Sequence, residues 1–85
     1  MTYYSAIDLH SNNSYLVVLD NNDKIHFSKR LPNDLERITL ALSPFKELMF
    51  GIAVESTYNW YWLVEGLIEA GFKLHLVNTT AVKTY

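Results

Sequence analysis

Apolar and polar residues alternate along the first 30 residues with the period of two that is typical of β-strands. The first segment, 3–9, reads Y-Y-S-A-I-D-L, the second, 15–20, reads Y-L-V-V-L-D, and the third, 24–30, reads K-I-H-F-S-K-R. Polar residues that favour turns separate these segments. The pattern therefore predicts three antiparallel strands joined by tight turns.

The remaining pattern alternates between helix and strand. Pro32 is expected to break the third strand, and Asn33 with Glu36 predicts the cap of a helix that ends at Ser43 and Pro44. The run 48–54 is apolar on both faces, as in a buried parallel strand.

A second helix is predicted over 58–70, capped by Ser56 or Thr57 and stopped by Gly71. A fifth strand follows at 72–77. The segment from Asn78 then predicts the start of a third helix, with Val82 in its first turn.

The predicted order is β-β-β-α-β-α-β, which is the order of the α/β ribonuclease H architecture, also called RuvC-like. In that fold the mixed five-stranded sheet has the order 3-2-1-4-5, with helices on both faces. Strand 1 then lies beside strand 4. We find no internal repeat or linker, so residues 1–85 are expected to form one domain, incomplete at its C-terminus.

Composition limits the classes of function. The 85 residues include no cysteine, which excludes disulfides and thiolate metal sites. The formal net charge of -2 gives no support for nucleic-acid binding and does not exclude it. No apolar run approaches the ~20 residues that span a bilayer, and the N-terminus lacks a signal-peptide pattern. We therefore expect a cytoplasmic protein that does not contact a membrane.

Two carboxylates are the main candidates for chemistry. Asp8 lies in the apolar first strand, where burial would be costly without a partner, and Glu55 ends the fourth. If those strands are neighbours, the two carboxylates meet and can bind Mg²⁺ or Mn²⁺. Alternatively, Asp8 caps a turn and Glu55 stabilises the next helix N-terminus. His10, on the face of Asp8, is a candidate to support that carboxylate or an ordinary strand-end residue.

An aromatic segment, Y-N-W-Y-W at 58–62, opens the second predicted helix. Trp60 fits the apolar stripe of that helix and is expected in the core. Tyr58, Asn59, Tyr61 and Trp62 point in other directions, so they are candidate contacts to a nucleic acid or another partner.

Three segments, A-I-D-L-H-S-N-N, L-P-N-D-L-E and G-I-A-V-E-S-T-Y-N-W-Y-W-L-V-E-G-L, resemble the N-terminal domain of the DEDD-type insertion-sequence transposases. These are bacterial and archaeal DNA recombinases, and some are guided by a bridge RNA. The resemblance covers essentially the whole chain. It implies a RuvC-like fold and a metal-dependent site of four acidic residues, the first matching Asp8 and the second Glu55.

The resemblance also implies what lies beyond this segment. The other two acidic residues, and a second domain with a catalytic serine, would follow Tyr85. We therefore expect a truncated catalytic domain, inactive alone, that self-associates through an uncovered sheet face. The expected partners of the intact protein are DNA and a guide RNA.

Two other functions remain open from the sequence. One is a non-catalytic module that binds nucleic acid or protein through the aromatic segment. The other is half of an actin-like or sugar-kinase ATPase, which also opens with three strands and an early aspartate. That class needs a glycine-containing hairpin for phosphate, and the turn 10–13 has no glycine.

Overall fold

One mixed β-sheet forms the framework of the computed structural model, which describes residues 1–56, 59–77 and 82–84. The elements, in chain order, are β1 (Tyr3–Leu9), β2 (Asn13–Asp20), β3 (Ile25–Pro32), α1 (Leu35–Leu42), a 3₁₀ helix (Ser43–Leu48), β4 (Met49–Glu55), α2 (Tyr61–Glu69), β5 (Leu74–Val77) and β6 (Val82–Thr84).

The strand order is β3-β2-β1-β4-β5-β6, which confirms the predicted order of the first five strands. β1 is antiparallel to β2 and parallel to β4, so the two central strands run in the same direction. β6 is antiparallel to β5 and was not predicted. The helix predicted to include Val82 is therefore wrong at that residue, and residues 78–81 of that prediction lie outside the described part.

One face of the sheet carries the core. Because side chains alternate along each strand, every second residue of β1, β2, β4 and β5 points to this face. The fully or nearly fully buried residues on it are Ile7, Leu9, Leu16, Val18, Ile52, Val54 and Leu74. Ile38 and Leu42 of α1 and Leu63, Val64 and Leu67 of α2 belong to the same cluster. We call this side the covered face.

Both described helices lie on the covered face, so the prediction of helices on both faces is wrong for this part of the chain. The strand order explains why. The crossovers from β3 to β4 and from β4 to β5 step in the same direction along the sheet, and right-handed crossovers then place both helices on one side. The helices approach closely at Gly66, where a Cβ atom would come within 3.0 Å of the Leu35 Cγ.

The opposite side, the open face, carries no helix among the described residues. Tyr4, Ala6 and Asp8 of β1 alternate with the buried residues of the covered face. A bulge in β4, opposite the step from Tyr3 to Tyr4, gives β4 one extra residue, Phe50. The Phe50 ring is 5.4 Å from the Tyr4 ring, and Phe50 is 61% exposed.

The start of α1 differs from the predicted cap. The capping residue is Asp34, whose Oδ1 accepts hydrogen bonds from the backbone N–H groups of Glu36 and Arg37 at 3.0 and 3.3 Å. Asn33 binds elsewhere, as described below. The third strand also continues through Pro32, because β3 is an edge strand where proline is tolerated.

α2 begins later than predicted, at Tyr61, with Trp60 as the residue before it. Ser56 therefore does not cap this helix, and Thr57 lies outside the described residues. The predicted stop at Gly71 is confirmed: Gly71 has a φ of 96°, which favours glycine. The Gly71 N–H donates to Ile68 O at 2.9 Å and the Phe72 N–H to Leu67 O at 3.0 Å, the pattern of a Schellman motif.

Within residues 1–56, 59–77 and 82–84, no helix has the length and apolar character needed to cross a membrane.

Candidate functional site

Asp8 and Glu55 are direct partners in the register between β1 and β4. The strands are parallel, and both residues lie at their carboxyl-terminal ends on the open face. Neighbouring strands are about 4.8 Å apart, so two side chains on the same face at this register leave from adjacent backbone positions. The structure therefore places the two residues that the sequence singled out at adjacent backbone positions on one face.

Asp8 is not buried, so the expectation that it would need a partner to offset the cost of burial is wrong. Its side chain is 55% exposed, because the open face carries no helix in the described residues. Glu55 is exposed as well. Both carboxylates are thus accessible from the same side, and neither pays a large desolvation cost as an anion.

His10 contacts the Asp8 carboxylate. Its Nε2 lies 3.1 Å from Asp8 Oδ2, within hydrogen-bonding distance. Both side chains are more than half exposed. A donated N–H at this distance restricts the rotation of the Asp8 carboxylate and leaves its other oxygen accessible.

The turn that follows Asp8 is anchored by Asn33, which the sequence pattern had predicted to cap α1. Asn33 Nδ2 donates to the His10 carbonyl oxygen at 2.7 Å. The hydroxyl of Ser14, which is fully buried, donates to Asn33 Oδ1 at 2.5 Å. The residue just before the cap of α1 therefore holds the turn that follows β1 in place. Local sequence patterns do not predict this role, because the contact joins residues 23 positions apart.

The donor atoms at the pair suit a hard divalent cation. Ionised carboxylates supply the oxygen ligands that Mg²⁺ and Mn²⁺ prefer. Across the described ranges, no cluster of three or more His, Cys, Asp or Glu side chains has the arrangement of a metal site. Asp8 and Glu55 therefore fit such an ion as two of its ligands and do not enclose it.

Two further residues continue the line of this pair across the open face. Tyr15 of β2 is the register partner of Asp8, and Arg30 of β3 is the register partner of Tyr15. The Arg30 Cζ lies 5.7 Å from the centre of the Tyr15 ring. Neither residue was a site candidate from the sequence pattern. The alternation of strand 3 placed Arg30 on a polar face, but only the register shows what that face adjoins.

Part of the aromatic segment forms a second exposed feature. The rings of Trp60 and Tyr61 stack at 4.2 Å with an interplanar angle of 24°, and Tyr61 is 59% exposed. Trp60 and Trp62 pack partly against the core, as expected for Trp60. The Trp62 Nε1–H donates to Asn59 O at 3.1 Å, and Asn59 is exposed. Tyr58 lies outside the described residues.

A third aspartate, Asp20, lies on the covered face and is 4% exposed. Its Oδ1 accepts the backbone N–H groups of Asn22 and Lys24, at 2.8 and 3.0 Å, and its Oδ2 accepts His26 Nε2 at 2.7 Å. The hydrogen bond from His26, helped by those from the backbone, lowers the pKa of Asp20 from 3.8 to about 2. Asp20 thus closes the β2–β3 hairpin.

Comparison with solved structures shows the RuvC-like, ribonuclease H-like fold. The chain is similar to T. thermophilus RuvC in complex with Holliday junction substrate, with a TM-score of 0.74 and 12% sequence identity. The similarity covers 93% of this chain and 66% of the RuvC chain, so this chain spans slightly less than two thirds of RuvC. No protein-family model matches the sequence, and no curated protein matches it.

Proposed function

We propose that this chain is part of the catalytic domain of a DEDD-type insertion-sequence transposase, which cleaves and transfers DNA strands with Mg²⁺ or Mn²⁺. Asp8 and Glu55 are its metal ligands on this segment. The observation that carries the proposal is the direct register partnership of these two exposed carboxylates on the central parallel strands. The sequence resemblance and the RuvC-like fold support the same assignment.

The residues of the chain have separate tasks in this proposal. The divalent ion supplies activation of the attacking oxygen and charge stabilisation in phosphoryl transfer. Asp8 and Glu55 supply ligand oxygens from adjacent backbone positions on the same face of the sheet. His10 orients the Asp8 carboxylate through its hydrogen bond to Oδ2. Two ligands give weak binding, because affinity rises with ligand number and charge.

The proposed partners and the cytoplasmic location of the intact protein follow from the same assignment. DNA is the substrate, and a bridge RNA guides the intact protein in the cytoplasm. Further acidic ligands and the serine-bearing domain belong to a longer protein, and this chain alone is inactive. Copies of the chain associate through the opposite end of the open face from the carboxylate pair, where Tyr4 and Phe50 are exposed. Light scattering that finds only monomers at high concentration would contradict the last point.

Mn²⁺ binding to this chain tests the metal assignment. We expect electron paramagnetic resonance to detect weak, saturable Mn²⁺ binding that Asp8→Asn and Glu55→Gln each reduce at least tenfold, because each removes a charged ligand. Glu69→Gln, at the exposed end of α2, is the matched control and should bind as the unaltered chain does. Equal loss in all three variants, or no loss in either site variant, would refute the assignment.

DNA cleavage tests the activity. In a longer protein that carries this segment, Asp8→Asn should abolish Mg²⁺-dependent strand cleavage while DNA binding is retained. Cleavage that survives Asp8→Asn would show that the domain is not catalytic through this pair.

A non-catalytic interaction module is the second candidate function. The stacked rings of Trp60 and Tyr61 favour it, since the exposed Tyr61 ring, supported by the half-buried Trp60, can contact bases or an apolar partner. Under this alternative, Tyr61→Ala would abolish function in the longer protein and Asp8→Asn would leave it intact. Under the leading proposal the Asp8 variant has the larger effect.

A further inference from the structure

We propose that Tyr15 and Arg30 form a binding site for a DNA strand beside the carboxylate pair, with Arg30 contacting a backbone phosphate and Tyr15 a base or sugar. This inference rests on the proposed function, because it assigns to the same open face the residues that hold the substrate. Neither residue is part of the metal-binding pair.

Strand register places four side chains in one line across the sheet. Glu55 is the partner of Asp8, Asp8 is the partner of Tyr15, and Tyr15 is the partner of Arg30. All four lie on one face, because paired residues in a β-sheet project to the same side. The line crosses β4, β1, β2 and β3. With about 4.8 Å between strands, the backbone of Arg30 lies roughly 10 Å from that of Asp8.

The distance between Arg30 and Asp8 determines which phosphate of a DNA strand each residue can reach. A metal ion between Asp8 and Glu55 would contact the reacting phosphate. Arg30, two strands away from Asp8, is too far to share that phosphate through a direct pairing and is suited to a neighbouring phosphate on the same DNA strand. A backbone running along the line would therefore meet the carboxylates and Arg30 in succession.

The contacts of Arg30 leave its charge available. Its NH1 donates to Asn13 Oδ1 at 2.7 Å, and its Cζ lies 5.7 Å from the centre of the Tyr15 ring. Throughout 1–56, 59–77 and 82–84, the ion pairs are His10–Asp8 and His26–Asp20, and neither includes Arg30. A guanidinium has five N–H donors in a planar fork, so donors remain for a phosphate after the bond to Asn13.

The hydroxyl group of Tyr15 holds the side chain in place. Its hydroxyl lies 2.6 Å from Ser28 Oγ, in hydrogen-bonding contact, while the residue is 37% exposed. A ring fixed at the hydroxyl and partly exposed is a suitable surface for stacking. The alternative role is purely structural: a cross-strand pair between an aromatic ring and a cation stabilises many sheets without binding anything.

The salt dependence of DNA binding separates the two roles. We would titrate a fluorescein-labelled oligothymidylate with this chain in Mn²⁺ at several salt concentrations, and compare Arg30→Gln with Lys29→Gln. Lys29 is the neighbouring cation on β3, exposed and directed to the opposite side of the strand. Both changes remove one positive charge from the same edge strand, so only the face differs.

The logarithm of the affinity falls linearly with the logarithm of the salt concentration. We expect Arg30→Gln to make this slope less steep by about 0.7, the value for one phosphate contact on a single strand. Lys29→Gln should leave that slope unchanged. Arg30→Lys should restore the slope, because the charge returns, whereas Tyr15→Leu should weaken binding at every salt concentration without changing the slope. Equal slopes for the unaltered chain, Arg30→Gln and Lys29→Gln would overturn the proposal, as would absence of oligothymidylate binding by the unaltered chain.

Mn²⁺ binding measured on the same variants shows whether the DNA site at Tyr15 and Arg30 fails alone or the proposed function fails with it. Arg30→Gln should retain the Mn²⁺ binding that Asp8→Asn removes. If Mn²⁺ binds as proposed and Arg30→Gln leaves the salt slope unchanged, the DNA site is refuted and the metal site stands. If Asp8→Asn leaves Mn²⁺ binding unchanged, the proposed function fails whatever the Arg30 variants do.

Discussion

The two faces of the sheet use the same alternating strands for different purposes. On the covered face, residues such as Ile52 and Leu16 pack against α1 and α2 and are completely buried. On the open face, the alternate positions of the same strands carry Asp8, Glu55 and Tyr15, all exposed. The first face accounts for the fold, and the second leaves reactive groups accessible on a rigid support.

The aspartates of the two faces show the same difference. Asp20, on the covered face, has three hydrogen bonds and a pKa lowered to about 2. Asp8, on the open face, has His10 as its side-chain partner in the described residues. A carboxylate whose oxygens are saturated by the protein has a structural role, whereas an exposed carboxylate beside a second one is available to a cation.

The largest expected effect comes from shortening a side chain on the covered face. Ile52→Ala should lower the free energy of unfolding by about 2–5 kcal/mol, because it removes contacts from a completely buried site and leaves a cavity. Phe50→Ala, in the same strand but 61% exposed, should cost about 1 kcal/mol or less. Urea unfolding of both variants measures the difference. Similar losses would mean that the open face is also packed.

Acid should destabilise the fold through Asp20, the carboxylate of the covered face. The pKa of Asp20 is about 2 in the folded chain, against 3.8 for an unperturbed aspartate, so ionised Asp20 stabilises the fold above about pH 4. This contribution should decline as the pH falls from about 4 to about 2. Urea unfolding across that range should show a weaker pH dependence for Asp20→Asn than for the unaltered chain.

Asp23→Asn is the control for the acid experiment. Asp23 lies in the same turn with an exposed side chain and a φ of 63°, which asparagine also adopts. This variant should keep the pH dependence of the unaltered chain. The assignment of the acid-sensitive contact to Asp20 would be contradicted if Asp23→Asn weakened the pH dependence of stability and Asp20→Asn left it unchanged.

The smallest expected effect is at His10. His10→Ala should weaken Mn²⁺ binding by roughly two- to threefold, less than the tenfold or more typical of buried supporting groups, because water can replace an exposed hydrogen bond. Asn12→Ala, exposed in the same turn, should have no effect. Electron paramagnetic resonance measures both. Tighter Mn²⁺ binding in His10→Ala would show that His10 competes with the ion and does not orient its ligand.

Much of the fold could be predicted from the sequence because hydrophobic period and turn residues act locally. They predicted the order of the first five strands along the chain and the stop at Gly71, and the match of that element order to the ribonuclease H architecture then gave the strand order in the sheet. The cap of α1 was misassigned because Asn33 and Asp34 are both good capping residues, and a contact to His10 decides between them. The side on which the helices lie depends on the direction of two crossovers taken together, which local pattern does not encode.

The site could be predicted in part. Asp8 and Glu55 were chosen from their strands and from the family resemblance, and the structure makes them partners in register. The aspartate that is buried and needs partners is Asp20, not Asp8 as expected, and no sequence pattern distinguished Asp20. Tyr15 and Arg30 could not be identified before the pairing of three strands was known, because they are 15 positions apart and share no motif.

A crystal of this chain soaked with Mn²⁺ would show whether Asp8 and Glu55 bind one metal ion. We expect an anomalous scattering peak between the carboxylates of Asp8 and Glu55 on the open face, with oxygen atoms of both side chains as ligands. The same soak of Asp8→Asn should lose the peak. Carboxylates that diverge without a shared peak, or Mn²⁺ bound at Asp20 or elsewhere and absent from this pair, would contradict the claim.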